Sequence, residues 1–599
     1  MAKTQKPPVI NVHAHTFTHA HVPPLLARKI LPFPLYWLLH LGFILVIYLK
    51  IVAIKNKYYT RWHRLYRRIV YRVNMFVQRL FILRAVHWII LTWLIIITVL
   101  FTFDFLAWIA ASSFSEDNPF VKAIRYLDML FEKYRLIPEW ITTFYKILIT
   151  LFVLVFVKSG RNLILFIFKK IFSFFKVLPG KTTQKLLERY LYIIKYSVYK
   201  TQTRVFAKMK DQYPKGSGFG ILPMDMDYMG AGTAKKSYQD QLAEIAKYKN
   251  STTYADEGTG IYPFVFVDSR RIRDDQKPNQ KRPKKEQLFN YHLDGQTVVL
   301  DDCLIKTYVE GENFSGFKIY PAIGYYPFEK ELLPVWKYAA DNNLPIVTHC
   351  IKGVVFYRGT KEKQWDTHPV FMDEDVENTL LLPERKNVDF QLNFTHPMNY
   401  LCLLEEPFLK KLLHQYQDDD LNTLFGFTGL DKPLTANLSN LKINLAHYGG
   451  EDQWKKYLNT DRDPFGQQIN KQPGQGIKFV KYDKKTKALR YTRLAKMWKY
   501  TDWYSIICSM MMRYENVYAD ISYIIHDQEI FPLLKESLKP IHGKLRDRIL
   551  YGTDFYVVRN HDSDKGIYVE SKGFLTDDEF DLIARYNTRD FLNLPPFTP

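Results

Sequence analysis

Cysteine is scarce in this chain. Four occur in 599 residues, Cys303, Cys350, Cys402 and Cys508. Their number and scatter exclude a disulfide-stapled scaffold and any Cys-x-x-Cys metal or redox motif. Most stand in apolar surroundings, as reduced core residues do, which points to a reducing compartment. No motif for RNA or DNA is present, and no internal repeat. The first 30 residues are polar, His-rich and Pro-rich, unlike a signal peptide. Acidic residues are outnumbered, 61 against 83 Lys and Arg, giving a formal charge of +22. Such an excess suits nucleic acid or an anionic membrane surface. Because the positive charge gathers beside long apolar runs, a lipid bilayer is the expected partner and nucleic acid is not. Hydrophobic residues at 47% and aromatics at 16% exclude a disordered chain. The length suits two to four ordinary domains, or one large domain carrying insertions.

The apolar runs begin early. Leu35 to Ile54 carries one charge, Lys50, and is long enough to cross a bilayer as a helix. Ala85 to Ala111 is a stronger candidate, with only Asp104 charged and Trp88, Trp93 and Trp108 as interfacial anchors. Ile141 to Val177 is apolar but interrupted at Lys158-Ser159-Gly160-Arg161-Asn162, so it reads as a helical hairpin or one long tilted helix. Between the first two runs, Lys55 to Arg84 alternates basic and apolar residues, the pattern of a helix lying on headgroups.

From about Lys181 the composition is that of a soluble protein, and strands alternate with helices. Strands are expected at Gly218 to Met226, Tyr262 to Asp268, Gly316 to Tyr320, Leu344 to His349, Leu441 to His447, Val517 to Ile521 and Arg548 to Asp554. Helices are expected at Tyr238 to Lys249, Glu329 to Asp341, Leu489 to Tyr514 and Asp577 to Leu592, with Arg270 to Glu286 a charged loop. An eighth strand precedes the apolar block, at Pro8-Val9-Ile10-Asn11-Val12-His13-Ala14-His15. Eight alternating units predict an α/β fold, a (β/α)₈ barrel interrupted by an all-α transmembrane insertion. Residues 1–22 supply the first strand, 23–210 the insertion and 211–599 the remainder.

Candidate ligands fall at strand ends. On a strand, residues two apart face one side, so His13 and His15 can share an ion. His349, His447 and Asp554 end later strands, and in such a barrel the C-terminal strand ends converge on one face. Three histidines and a carboxylate make a mononuclear site for a divalent ion, zinc first, leaving a position for water.

Val-His-Ala-His, Gly-Phe-Lys-Ile-Tyr-Pro, Ile-Val-Thr-His-Cys, Asn-Leu-Ala-His-Tyr-Gly-Gly, Tyr-Ala-Asp-Ile-Ser and Ile-Leu-Tyr-Gly-Thr-Asp-Phe follow one another in order. Together they resemble the metal-dependent amidohydrolase superfamily, in particular its amidohydrolase-related branch. The closing Tyr-Asn-Thr-Arg-Asp-Phe-Leu-Asn-Leu resembles that branch's last helix. The resemblance covers residues 8–17 and roughly 215–595. It implies His13, His15, His349 and Asp554 as metal ligands, and Asp554 as the general base toward the attacking water. It implies that His447 ligates a metal or contacts substrate. Lys318 matches a lysine that some members carboxylate to bridge two metals; a charge partner or substrate contact is its other reading. The implied activity is hydrolysis of a small molecule at an amide, ester or lactone carbonyl. The same site serves decarboxylation or hydration in related proteins, and a non-catalytic barrel used as a binding module is the competing class.

Other residues have two readings. Asp225 and Asp227 reach the pocket or are surface carboxylates. Tyr320 and Arg513 are substrate-contact candidates. His19 and His21 are expected in a loop, His396 at a helix start, and His368 in an insertion that forms part of a lid. The first strand precedes the apolar block and the rest follow it, so the block must cross the bilayer an even number of times. Four crossings are expected, with two plus a re-entrant or surface helix as the alternative. The protein is expected in the cell membrane with its barrel facing the cytoplasm.

Overall fold

The computed structural model describes residues 6–23, 80–113, 141–156 and 199–597, apart from 280–281, 374–377, 460–463, 486–488 and 556, together with isolated helical residues between 65 and 129 and at 162. The expected span at 35–54, most of the basic segment 55–84, and residues 158–161 of the interruption lie outside the described residues. The chain divides into two compact units, Met1–Tyr36 with Leu187–Pro599, and Trp37–Leu186.

In the second unit, α1 (Phe81–Ser113) is a helix of 33 residues. Among the described residues it alone is long and apolar enough to cross a membrane, with mean hydropathy 2.2 over Ala85–Thr102. Trp88, Ile89, Ile90, Phe105 and Trp108 are exposed on it. Thr98 and Thr102 donate their hydroxyls to Leu94 O and Thr98 O, satisfying themselves on the helix backbone rather than on water. A shorter apolar helix, α2 (Thr143–Phe156), packs against α1 and exposes Phe144, Leu148, Leu151 and Phe152.

The first unit is built on eight parallel strands. They are β1 (Ile10–Ala14), β2 (Gly218–Ile221), β3 (Gly260–Phe266), β4 (Gly316–Lys318), β5 (Ile346–Val347), β6 (Ile443–Asn444), β7 (Val517–Asp520) and β8 (Ile549–Leu550). Each pairs with the next in chain order. The ring closes through backbone bonds between β1 and the β8 segment: Val12 N to Tyr551 O at 3.1 Å, Asp554 N to His13 O at 2.9 Å and His15 N to Phe555 O at 2.6 Å. Helices separate the strands, as right-handed parallel crossovers require. One of them, α3 (Tyr238–Lys249), shows why the sequence folds locally. Ser237 and Asp240 form a capping box at its start, and Leu242, Ile245 and Ala246 put an apolar stripe on β3.

Inside the ring, Ile10, Val12, Phe264, Val347, Tyr518 and Leu550 cluster with Phe591 and Leu592 of the closing helix. Apart from β3, which starts at Gly260, the strands are shorter than the apolar runs predict, because the chain leaves the ladder while its residues remain buried. Residues 202–210, assigned to the insertion by sequence, form a helix of the barrel unit, with Phe206 stacked on Tyr248. Within the expected loop Arg270 to Glu286, Ser269–Asp275 is a helix capped by Asp268. The expected helix Leu489 to Tyr514 is two, α4 (Tyr491–Tyr500) and α5 (Trp503–Arg513). Two antiparallel hairpins, 291–300 and 367–381, had no counterpart in the sequence reading.

Candidate metal centre

The barrel's closing seam is where the candidate ligands meet. Between Asn11 and Ala14, β1 takes three steps against two on β2, a bulge of one residue. Neighbouring residues on a regular strand face opposite sides. The extra residue re-aims the strand, so that Val12 joins the inner cluster while His13 still reaches the inward Asp520. Asn11 is turned outward, donating to Tyr213 Oη at 2.9 Å and Thr553 Oγ1 at 2.8 Å. This ties together positions 542 residues apart in sequence, beside His13 on one strand and Asp554 on the other.

Nε2 of His15 lies 3.3 Å from Asp554 Oδ1, and Nε2 of His13 lies 3.8 Å from it. Ligands about 2.1 Å from a tetrahedral zinc stand about 3.4 Å apart. Both imidazoles are oriented from behind: His13 Nδ1 is 3.0 Å from Asp520 Oδ2, and His15 Nδ1 is 2.7 Å from Leu222 O. Partners of this kind fix the tautomer and leave Nε2 as the donor toward an ion. His13 Nε2 is fully buried with no hydrogen-bond partner. A buried, unsatisfied nitrogen is costly unless something binds it, so the donor set fits a divalent cation. His13, His15 and Asp554 would hold it.

A second trio, His13, His447 and Asp520, also lies close together. There Asp520 is engaged in hydrogen bonds, to His13 Nδ1, to Asn444 Nδ2 at 2.7 Å, to the backbone N–H of His447 at 3.1 Å and to the Ser522 hydroxyl. We read it as the support of the first trio. His447 Nδ1 meets Ser522 Oγ at 2.9 Å, and its Nε2 meets His349 Nδ1 at 2.9 Å. His349 joins neither trio; its own Nε2 is buried and unpartnered, and it stacks on Tyr320 at 4.0 Å. Gly353 is needed here, because a Cβ on it would sit 3.0 Å from that Nε2 and 2.9 Å from Tyr320 Oη.

Charge follows burial. Burial pushes His13 down to about 3, against the pull of Asp520, and holds His349 and His447 below the usual imidazole range. Burial raises Asp554, but its bond to His15 and the nearby His447 and His13 outweigh that and leave it lowered. At neutral pH His13, His349 and His447 are therefore neutral and Asp554 is ionised. Lys318 is wholly buried, donates to Thr348 O at 2.8 Å and is lowered to about 8 by burial. Three residues around the cavity carry left-handed backbone, His447 (φ 67), Tyr523 (φ 63) and Asp554 (φ 59). Such conformations are strained for side-chain-bearing residues and gather at functional sites.

The cavity, about 70 Å³, is lined by His15, His349, His447, Asp554 and Tyr320 among others. Asp225 is not among them; it is buried against the Arg271 guanidinium, which also holds Asp227 at 2.9 Å. Arg513 serves the structure elsewhere, donating to Gly476 O at 3.1 Å. His21 is buried and accepts from Thr18 N at 3.1 Å in a short 3₁₀ turn begun at His19. His396 is buried, stacked on Trp498, and accepts from Met398 N at 3.2 Å as the cap of the turn at Pro397. The sequence analysis gives Asp520 and Ser522 no role, although both stand in the Tyr-Ala-Asp-Ile-Ser motif at the end of the strand expected over Val517 to Ile521. The strand-end rule that singles out His349 and His447 applies equally to Asp520.

No family model matches the chain, and no curated protein does. Among solved structures, it is similar to an uncharacterised TIM-barrel protein, Bb4693, from Bordetella bronchiseptica. The identity is 10% and the TM-score 0.30, over 65% of this chain and 82% of that one. It is also similar to Amidohydrolase 2 from Bifidobacterium longum subsp. infantis, at 11% identity and TM-score 0.21, over 60% of this chain and 89% of that one. At such scores neither likeness bears on activity, and the functional reading rests on the chain's own geometry.

Proposed function

We propose that this protein is a membrane-embedded, metal-dependent hydrolase of the amidohydrolase type, cleaving a small molecule at an amide, ester or lactone carbonyl. One observation carries the reading: two histidines with their Nδ1 atoms occupied aim Nε2 at the same point as Asp554, on adjoining strand ends of a closed barrel. A divalent ion bound there, zinc first, would polarise the carbonyl and acidify water. The chain's own groups do the rest. Asp554 is ionised at neutral pH and takes the proton from the attacking water at Oδ2, the oxygen left when Oδ1 faces the histidines. His447 and His349 are neutral: His447 donates from Nδ1 to Ser522 O and accepts at Nε2 from His349 Nδ1, which leaves the buried, unpartnered Nε2 of His349 with its lone pair as a further ligand toward the ion. Lys318, without a place in the cavity lining, serves as a buried charge partner. The long apolar helix α1, with its outward Trp and Phe side chains, supports residence in a membrane. Four buried, unpaired cysteines support a barrel on the cytoplasmic side.

Two measurements test the reading together. Elemental analysis of the purified protein is expected to find about one divalent ion per chain. Asp554→Asn, nearly isosteric but unable to accept the proton, is expected to melt as the parent does and to lose about 10²–10⁴-fold in kcat. A parent that binds no metal, or a variant within a few-fold of parental activity, would sink it.

A further inference from the structure

Beyond β2 the chain runs Leu222-Pro223-Met224-Asp225-Met226, and its side chains point alternately. Asp225 turns away from the cavity to Arg271, while Met224 and Met226 line it. Met224 is held at both backbone atoms by Gln241, which accepts from its N–H at 2.8 Å and donates to its carbonyl at 3.1 Å. Phe17, Ile351, Val355 and Val557 extend this wall beside the catalytic groups. Among the described residues, the lining contains no arginine. Its single lysine, Lys352, is exposed and paired with Asp389 at 2.8 Å. A carboxylate on the substrate, away from the reacting carbonyl, would meet thioethers and hydrocarbon, where an unpaired charge is costly to bury.

We infer that the substrate, on the hydrolase reading above, is uncharged and carries an apolar acyl or alkyl group that lies against Phe17, Met224 and Met226. Methionine is unbranched and polarisable, so a wall with two of them adapts to chains of differing shape. The same lining disfavours the decarboxylase alternative for any substrate with a second carboxylate.

The test pairs neutral N-methylalkanamides of increasing chain length with their ω-carboxylate counterparts. The full-length protein is titrated by calorimetry, and amine release is followed separately. Affinity for the neutral series is expected to rise about three- to fourfold per added methylene until the wall is covered. The ω-carboxylates are expected to bind at least about tenfold more weakly. Met226→Asp should cost the neutral series at least about tenfold, and Met226→Leu should stay within about threefold of the parent. The chain-length series on the parent stands without any variant, should Met226→Asp fail to fold. Equal or tighter binding of the carboxylates, no dependence on chain length, or no binding of either series overturns the inference. Tight neutral binding without amine release, and without acid release from the matching methyl esters and lactones, would leave it standing and remove the hydrolase reading; turnover confined to the carboxylates would do the reverse.

Discussion

At the scale of single residues, a buried imidazole is kept neutral by what its nitrogens face. His368, on the hairpin strand Thr367–Met372, accepts at Nδ1 from Val370 N (3.1 Å) and Phe371 N (2.9 Å), leaving Nε2 to donate to Asn399 Oδ1 at 3.0 Å. A proton on Nδ1 would face two N–H donors. Burial, assisted by Lys411 and opposed by the bond to Asn399, brings its pKa down to about 3. The unfolded chain, with a histidine near 6.5, takes up this proton first. Stability is therefore level above about pH 6.5 and lost as pH falls toward 3, by about 1.4 kcal/mol per unit for each such histidine. His13, also lowered to about 3, acts in the same direction. Denaturant midpoints of the purified protein across this range are expected to fall below pH 6.5; pH-independent midpoints would refute the neutral assignment. The sequence places His368 in an insertion, and the structure uses its ring there to pin the hairpin to Asn399. That role, and the way Asp225 yields its place in the cavity to Met224 and Met226, depend on side-chain direction, which residue identity does not reveal.

Among elements, the break between α4 and α5 is the clearest case where periodicity misleads. Residues 489–514 hold an apolar rhythm with no proline or glycine to interrupt it. The stop is Asp502, extended at φ −65 and ψ 147, which accepts from Ser505 N at 2.6 Å and from Ser505 Oγ at 2.9 Å. Asp at an N-cap is a recognised start signal, but in a long apolar run the period outweighs it. Asp502→Ala is expected to destabilise the protein by about 1–2 kcal/mol, measured as a lowered denaturant midpoint, whereas Asp502→Asn or Asp502→Ser should recover most of the loss. An alanine variant as stable as the parent would mean that the cap contributes nothing. Seven of the eight apolar runs contain their strand, and β3 begins two residues before its run, at Gly260. The runs extend past the ladder because the residues at the C-terminal ends stay buried around the site.

For the whole molecule, connectivity constrains topology. β1 is hydrogen-bonded to both β2 and β8, yet the segment between β1 and β2 contains the apolar runs. If that segment spans a bilayer, its two ends must return to one side, so the number of crossings is even. Cysteine labelling tests this cleanly, since all four native cysteines are buried. Reporter cysteines placed near residue 5 and near residue 590 are expected to react from the same face, and one placed within 55–84 from the other. Reaction of the two terminal reporters from opposite faces would contradict a barrel assembled from both flanks of a spanning segment. Reaction of both only from outside would reverse the cytoplasmic assignment alone.

What the sequence determined by itself is the set of features that local chemistry writes in one dimension. These are the alternation of apolar runs with helical stretches, the His-x-His pair on the first strand, the long apolar run of α1, and histidines or an aspartate at strand ends. What only the tertiary structure decided is which of those groups share a point. The bulge in β1 aims His13, the β1–β8 seam sets Asp554 against His15, and Asp520 and Ser522 hold the imidazoles from behind, while His349 turns to His447. The reason is geometric. A strand-end residue is carried to the barrel mouth by register that spans more than 500 positions, and a shift of a single residue in that register exchanges the inward and outward faces.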